Sequence, residues 1–109
     1  MSYSIRPTPT FQKQFRKLLK KYRSLTSDIL KLQDSILESP NQGTSLGKGC
    51  FKVRLAISSK NRGKSGGARI ISYVQVVDET VFLLSIYDKS VKSSLDEGEL
   101  DTLLLEIDA

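Results

Sequence analysis

The first stretch of the chain alternates apolar and polar side chains over residues 3–6, which predicts a short strand. Thr8 and Pro9 then supply a side-chain N-cap and a first-turn proline, the pair that commonly opens a helix. Apolar residues follow at helical spacing over residues 11–22, with lysine and arginine between them. The sequence therefore predicts a strand followed by an amphipathic helix with a cationic outer face.

A second helical stripe begins near residues 26–28 and ends before Pro40. Because the connector to the first helix is short, we expect an antiparallel helical hairpin. Residues 41–49 are rich in polar residues and glycine, and the pattern predicts a loop there.

From residue 50 onward the spacing of apolar positions changes from a helical period to a period of two residues. Strands are predicted over residues 50–57, 69–77 and 80–88, with a hairpin turn at Asp78 and Glu79 and a glycine-rich basic loop at 58–67. Since their connections are short, these strands should be antiparallel neighbours.

The last segment predicts a helix. Ser94 and Glu97 have the spacing of a capping box, and four apolar residues follow at helical spacing. The whole order is strand, helix, helix, three-stranded meander, helix, which is an α+β fold occupying residues 1–109 as one domain. We expect the helical hairpin to cover one face of the meander and to leave the other face partly open.

The composition is that of one folded domain, and it also indicates where in the cell the protein is expected. Apolar residues form 39% of the 109 residues and charged residues 27%, which are ordinary values for a globular domain. No stretch approaches the roughly 20 apolar residues of a membrane helix, and no signal peptide is recognisable. A single cysteine, Cys50, allows no internal disulfide, and we expect it to be a buried or edge thiol. The expected location is the cytoplasm, away from membranes.

The net charge of +5 is strongly segregated. Residues 1–27 and 48–69 each hold seven basic residues and no acid, whereas the segment from Ser93 onward holds six acids and no base. A surface of one sign attracts a polyanion, although a solvated face that serves solubility is the alternative. The acidic tail either packs on the chain's own cations or lies on the far side of the domain.

Absent residue types exclude several chemistries. Without histidine, the chain can form neither Ser-His or Cys-His catalytic pairs nor histidine-based metal sites. The carboxylates cluster near the end of the chain, so a metal-dependent nuclease is not expected, and no cofactor is expected. Gly63-Lys64-Ser65 resembles part of a phosphate-binding P-loop, but Ser58 stands where that motif needs a glycine and a strand follows.

Cationic side chains recur on the predicted strands. Lys52 and Arg54 lie on one face because they are two residues apart, Arg69 opens the next strand, and Tyr87 and Lys89 close the last one. Paired strands would bring these groups together. Such a patch can cleave RNA without metal, because the RNA 2′-hydroxyl serves as nucleophile while cations stabilise the phosphorane and a lysine or tyrosine moves protons. The alternative is a polar face that is merely solvated.

Further cations are predicted RNA contacts. Lys60, Arg62 and Lys64 lie in the glycine-rich loop, and Lys92 follows the last strand. A flexible backbone with free amides and cations suits contact with a phosphate chain, although a mobile solvated loop is the alternative.

Three segments, residues 50–55, 67–73 and 84–90, resemble the RelE/ParE toxin superfamily, most closely its RelE and HigB-like branches, through the order of their motifs and the run Gly-Gly-Ala-Arg-Ile-Ile at 66–71. The resemblance implies a RelE-like fold and a toxin of a type II toxin–antitoxin system that sits in the ribosomal A site and cuts messenger RNA. It also implies a cognate antitoxin that wraps the basic surface, with the two proteins forming a hetero-oligomer.

The resemblance places the strand-two cations of RelE on Lys52 and Arg54, and its strand-three arginine on Arg69. Ser90 and Asp96 stand where RelE has an arginine and a functional tyrosine. Two alternatives to the nuclease stay open: a ParE-like, non-enzymatic inhibitor of DNA gyrase, and an inactive member that only binds its antitoxin.

Overall fold

The computed structural model describes residues 2–60 and 66–107, and over these ranges it forms one five-stranded mixed sheet with three α-helices. The elements in chain order are β1 (Ser4–Pro7), α1 (Pro9–Leu19), α2 (Leu25–Glu38), β2 (Thr44–Gly47), β3 (Cys50–Leu55), β4 (Ala68–Gln75), β5 (Thr80–Asp88) and α3 (Glu99–Leu104). A short 3₁₀ turn, Ser58–Lys60, follows β3. The predicted α+β class is confirmed.

The sheet has the strand order β1-β5-β4-β3-β2. Strands β3, β4 and β5 form the predicted antiparallel meander. The first strand pairs in parallel with β5, joining the beginning of the chain to its last strand. Strands β3 and β4 each end two residues earlier than predicted, at Leu55 and Gln75.

The predicted loop over residues 41–49 is wrong in part, because it contains strand β2. This strand pairs antiparallel with β3, and a glycine precedes it and another ends it. Gly43 has a φ of +103°, and a Cβ there would lie 2.5 Å from the carbonyl oxygen of Lys52. Only glycine allows the backbone to approach β3 so closely.

Local capping explains where the two long helices begin and end. Thr8 caps α1 as predicted, since its hydroxyl accepts a hydrogen bond from the Phe11 amide at 3.2 Å. Helix α2 begins at Leu25, slightly before the predicted start, and ends at Glu38 ahead of Pro40. Asp28 lies in the first turn of this helix, at its start as the pattern predicts, and it is buried and binds Ser58, which lies outside the helix.

The main core lies between one face of the sheet, here called the helix face, and helices α1 and α2. Its largest completely buried side chains come from α2, from β4 and β5, and from the segment that follows β3. The set is Leu25, Ile36, Ile57, Ile70, Val81, Leu83 and Ile86. The helical and strand periodicities thus meet in one layer, as the sequence pattern predicts.

The opposite face, here called the α3 face, carries a smaller cluster in which Leu103 of α3 packs with Cys50, Ile71, Leu84 and Tyr87 of the sheet. Cys50 is fully buried, as expected, and burial raises the pKa of its thiol to about 11 while the charge of Lys48 opposes the shift.

The capping box expected at Ser94 and Glu97 is wrong. Helix α3 begins at Glu99 with Gly98 at its N-cap in a left-handed conformation, a position that glycine adopts at little cost. The Glu99 carboxylate reaches back to the Asp96 amide at 2.8 Å, as the acid of a capping box does, but two residues later than predicted.

The acidic tail packs back on the chain's own cations. Asp101 pairs with Lys48, and Glu99 pairs with Lys92 at 2.6 Å. No helix within the described ranges has the length and apolar character needed to cross a membrane.

Candidate functional site

The candidate site is a row of three side chains that crosses β3, β4 and β5. Arg69 of β4 lies opposite Arg54 of β3 on one side and opposite Tyr87 of β5 on the other. Residues directly opposite each other in an antiparallel pair point to the same face, with Cα atoms about 4.5–5.5 Å apart. Arg54, Arg69 and Tyr87, here called the cross-strand row, therefore lie side by side on the α3 face.

A bulge brings Tyr87 into this row. Between the hairpin turn and Ser72, which pairs with Leu83, β4 and β5 keep one register. Continuing that register would place Ile86 opposite Arg69. The register instead shifts by one residue beyond Ser72, so that Tyr87 faces Arg69. Because side chains alternate with a period of two, the same shift puts Tyr87 on the α3 face.

Gln14 of α1 supports the bulge. Its side-chain oxygen accepts hydrogen bonds from the Ile86 amide at 2.9 Å and from the Ser85 hydroxyl at 3.0 Å. Ile86 and Ser85 are each only 1% exposed, so water cannot replace this acceptor. The helix thus satisfies donors of β5 at the place where the register of the sheet changes.

Arg69 is an unusual arginine because only 3% of it is exposed. Its Nη1 donates to the carbonyl oxygen of Ala68 at 3.1 Å. Burial lowers the pKa of Arg69, the neighbouring Arg54 charge lowers it further, and Tyr87 opposes the shift. Arg54 is exposed, so one solvated and one buried guanidinium concentrate positive charge at one point of the sheet.

Tyr87 is 8% exposed, and its hydroxyl oxygen has no hydrogen-bond partner among the described residues. Burial raises the pKa of Tyr87; Lys92 and Arg69 oppose this, and Glu99 reinforces it. The phenol therefore keeps its proton at neutral pH. An unpaired buried hydroxyl is destabilising by about 1–3 kcal/mol, which marks it as a group available to a ligand.

The tail covers this end of the row. The Lys92 ammonium lies 5.6 Å from the centre of the Tyr87 ring and 2.6 and 2.8 Å from the two Glu99 carboxylate oxygens. Burial would raise the pKa of Glu99, but hydrogen bonds from Lys92 and the Asp96 amide outweigh it, and the pKa is lowered. Lys92, a predicted RNA contact, is thus paired within the chain.

The turn after β5 is fixed by a buried carboxylate. Asp88, 4% exposed, accepts hydrogen bonds from the Tyr22 hydroxyl at 2.6 Å and from the amide and hydroxyl of Ser90 at 2.9 and 2.7 Å. Lys89 follows directly, is exposed, and donates its amide to Gly67 at 3.1 Å. The structure thus brings Lys89 to the end of the strand that carries Tyr87.

The basic loop is anchored at its start. Asp28, 5% exposed, accepts hydrogen bonds from the Ser58 amide and hydroxyl at 2.9 and 2.6 Å and from the Ser24 hydroxyl at 2.7 Å. The predicted contacts Arg62 and Lys64 lie outside the described residues. Lys60 ends the 3₁₀ turn, and its side chain also lies outside the description.

Once Arg69 and Tyr87, which are 3% and 8% exposed, are uncovered, two guanidinium groups and a neutral phenol at one spot can bind a phosphate, neutralise charge that develops on its oxygens and donate a proton. Lys52, two residues before Arg54 and half-buried on the same face, extends the positive surface along β3.

Comparison with known proteins supplies the family. The protein-family model described as the RelE toxin of the RelE/RelB toxin–antitoxin system matches residues 8–106. The chain belongs to the RelE toxin family. The match spans both helices, the meander and the helix at the end, and it confirms the resemblance inferred from the sequence motifs.

Solved RelE structures share the fold. An E. coli RelE double mutant bound to an antitoxin RelB peptide is 21% identical, with a TM-score of 0.63 and coverage of 94% of this chain and 95% of that one. The E. coli RelBE toxin–antitoxin complex is 24% identical (TM-score 0.62; 79% and 95% covered). RelBE2 of Mycobacterium tuberculosis is 19% identical (TM-score 0.58; 81% and 99% covered).

Two positions where the RelE resemblance leads one to look for an arginine and a tyrosine have structural roles here. Ser90 binds the buried Asp88 carboxylate, and the Asp96 amide donates to Glu99. A tyrosine, Tyr87, lies nearby on β5, although it is not at the position that the resemblance indicates.

Sequence reasoning missed Gln14, Tyr22, Asp28 and Asp88, which hold the site in place. An aspartate at a strand end with serine two residues later is typical of a side-chain turn, so Asp88 had a local signal. Gln14, Tyr22 and Asp28 bind partners that are distant in sequence, and no local pattern indicates them.

Proposed function

We propose that this RelE-family toxin is a metal-independent endoribonuclease that cuts messenger RNA on the ribosome. The observation that carries the proposal is the cross-strand row, in which Arg54, Arg69 and Tyr87 occupy neighbouring positions on one face. A protein that acts only by occupying a surface of DNA gyrase needs no such convergence of two guanidinium groups and a phenol.

The proposed reaction is an internal transfer. The 2′-oxygen of the RNA attacks the adjacent phosphorus and gives its proton to water, while the bond from phosphorus to the 5′-oxygen breaks and the 5′-oxygen takes up a proton. The products are a 2′,3′-cyclic phosphate and a 5′-hydroxyl. Arg54 and Arg69 stabilise the negative charge of the phosphorane, a kind of interaction whose removal commonly lowers rates about 10²–10³-fold.

Proton transfer is assigned to Tyr87 and Lys89. Tyr87 is the donor to the leaving 5′-oxygen, because its raised pKa keeps the phenol protonated and its hydroxyl binds no described residue. Lys89, exposed at the end of β5, is the second candidate for moving a proton. Arg69 and Tyr87 are only 3% and 8% exposed, so the chain that covers them must move aside for RNA to reach them. The segment with Lys92 and Glu99 is part of that cover, since the Lys92 ammonium lies over the Tyr87 ring and pairs with Glu99.

The partner proposed for this chain is a RelB-type antitoxin. The E. coli and M. tuberculosis structures that share its fold are toxin–antitoxin complexes. A segment with acidic side chains would complement the basic surface of Lys52, Arg54 and the neighbouring loop, and would form a hetero-oligomer. Its place of action, with the ribosome as target, would be the cytoplasm.

The test compares growth arrest and message cleavage at equal expression. Arg54→Ala and Tyr87→Phe should each abolish growth arrest and the cleavage bands seen by primer extension on message from induced cells. Arg69→Lys, which keeps the buried charge but not the guanidinium fork, should weaken both. Lys17→Ala removes an exposed cation on α1 and should leave both unchanged.

Folding is controlled by circular dichroism of each purified variant. Full toxicity of folded Arg54→Ala would contradict the assigned site. Intact message together with trapped gyrase–DNA complexes would contradict the nuclease in favour of gyrase inhibition. Cleavage of free RNA at the same rate without ribosomes would contradict the ribosome dependence alone.

A further inference from the structure

A groove of about 320 Å³ lies beside Arg54, between helix α2 and the outer edge of β3. Its lining includes Lys31 and Ser35 of α2, Gln42 of the following turn, and Arg54 and Leu55 of β3. Ligand pockets in proteins commonly occupy roughly 300–1,000 Å³, so this groove suits one nucleotide rather than a secondary-structure element.

The groove exists because β2 is short. Strand β2 pairs with β3 only as far as Lys52, which faces Thr44, whereas β3 continues to Leu55. Beyond Lys52 the outer edge of β3 has no strand neighbour within the described chain. A second hollow of about 300 Å³, lined by Thr44, Lys52 and Arg54 among others, shares Gln42 and Arg54 with the first. The two hollows are therefore neighbours along the edge, and together they are here called the edge path.

Arg54 connects this path to the cross-strand row. It lies opposite Arg69 in the sheet, and it also lines both hollows at the edge. A phosphodiester chain whose scissile phosphate lies at the row can therefore continue past Arg54 into the groove without leaving positively charged surface. Lys31, exposed on α2, supplies a second cation on the far wall.

The remaining lining suits a base. The Gln42 side-chain nitrogen donates to the Ser35 hydroxyl at 3.0 Å and to the Ser39 carbonyl at 3.2 Å, which fixes the amide. Its carbonyl oxygen accepts no hydrogen bond among the described residues and can accept one from a base edge. Leu32 and Leu55 add aliphatic surface. The one acid in the lining, Asp28, is occupied by hydrogen bonds from Ser58 and Ser24.

We propose that the groove is a nucleotide subsite, which holds the nucleotide next to the cleaved phosphodiester. The phosphate of that nucleotide lies between Lys31 and Arg54, and its base lies over Leu32 with an edge toward Gln42 and Ser35. This inference rests on the proposed nuclease function and adds a specificity determinant to it. Single-stranded RNA is read in this way, by hydrogen bonds to base edges that are not paired.

The test measures binding directly, so that it does not depend on cutting. The probe is a set of five-nucleotide RNAs that carry 2′-O-methyl groups, which block cleavage, and that differ in one base at a time. Lys31→Ala should weaken binding of all of them about fivefold and reduce the slope of log affinity against log salt by about 0.7, as the loss of one phosphate contact on a single strand does. Gln42→Ala should reduce the preference among bases at one position.

Lys17→Ala, an exposed cation on the other helix, is the matched control and should bind as the native chain does. Equal affinity and equal salt slope for Lys31→Ala, or no measurable binding of any pentanucleotide by the native chain, would overturn the subsite. Weaker antitoxin binding by Lys31→Ala with unchanged RNA binding would overturn it too, since the groove would then be an antitoxin contact.

The two proposals fail separately. If Gln42→Ala cut message as efficiently as the native chain and with the same base preference, the nuclease proposal would stand and the subsite would not. If Lys31→Ala lost pentanucleotide binding but the native chain left message intact in cells, the groove would bind nucleotides and the nuclease proposal would fail.

Discussion

Replacement of Gln14 by leucine should loosen the bulge that places Tyr87 in the cross-strand row. Leucine keeps much of the side-chain volume and a similar helix propensity, but it has no acceptor. The Ile86 amide and the Ser85 hydroxyl, both 1% exposed, would then lose their partner at 2.9 and 3.0 Å. The expected result is a less stable protein with a mobile β5.

The magnitude follows from the two donors. A buried donor without a partner is destabilising by about 1–3 kcal/mol. The hydroxyl of Ser85 can rotate and recover part of this, so the sum for Gln14→Leu is about 2–4 kcal/mol. Out of a total stability of roughly 5–15 kcal/mol, that loss should lower the Tm by about 10–20 °C in a domain of this size.

The assay is thermal and urea unfolding of the purified toxin, followed by circular dichroism, together with hydrogen exchange of the Ile86 amide by NMR. Gln12→Leu is the matched control, because Gln12 lies on the same helix and is exposed. Gln14→Glu retains an acceptor and should recover part of the loss above the pKa of the new carboxyl. Equal Tm values for Gln14→Leu and Gln12→Leu, with Ile86 equally protected, would refute the role of Gln14.

Three further perturbations test the supporting contacts. Asp28→Asn should lose about 2 kcal/mol near neutral pH. Burial opposes ionisation of Asp28, but hydrogen bonds from Ser58 and Ser24 outweigh it and hold its pKa below the ordinary aspartate value. The difference in stability from the native chain should therefore shrink as the pH falls through that lowered pKa. Tyr22→Phe should lose about 1–3 kcal/mol, because the buried Asp88 carboxylate loses one donor. Glu99→Gln should lower the pKa of Tyr87, since the Glu99 charge raises it.

Each of these has its own control. Asp34, exposed on the same helix, provides the control, and Asp34→Asn should leave the free energy of unfolding unchanged at every pH. A loss of stability in Asp28→Asn that stays the same in acid would contradict the link between stability and ionisation of Asp28. Tyr3→Phe is the control for Tyr22→Phe in urea unfolding. Equal unfolding midpoints for the two variants would contradict the role of the Tyr22 hydroxyl. The pKa of Tyr87 in Glu99→Gln is measured from the tyrosinate absorbance as the pH rises, and Tyr87→Phe identifies the contribution of Tyr87. The same titration in Glu99→Gln as in the native chain would contradict the electrostatic role of Glu99.

Local pattern predicted the parts of the fold that depend on neighbours in sequence. Period-two alternation gave the meander, and Thr8 with Pro9 gave the start of α1, because capping and side-chain alternation are decided within a few residues. Strand β2 was not predicted because it has only four residues, of which Leu46 alone is apolar. Its pairing also depends on the close approach of Gly43 to β3, which no local pattern indicates.

The candidate site shows the same division. The shared face of Lys52 and Arg54 follows from strand periodicity alone. The alignment of Tyr87 with Arg69 does not, because one bulge residue decides whether Tyr87 or Ile86 faces Arg69. A shift of one residue in register is invisible in the alternation of either strand, and a helix distant in sequence stabilises it through Gln14.

The parallel pairing of β1 with β5 sets an order of events during synthesis. Ser4 pairs with Thr80 and Pro7 with Leu83, so the first strand to leave the ribosome has no place in the sheet until the last strand has followed it. Closing such a long loop is entropically expensive before its contacts form. A nascent chain cut short before β5 thus lacks both the strand that closes the sheet and the tyrosine of the cross-strand row.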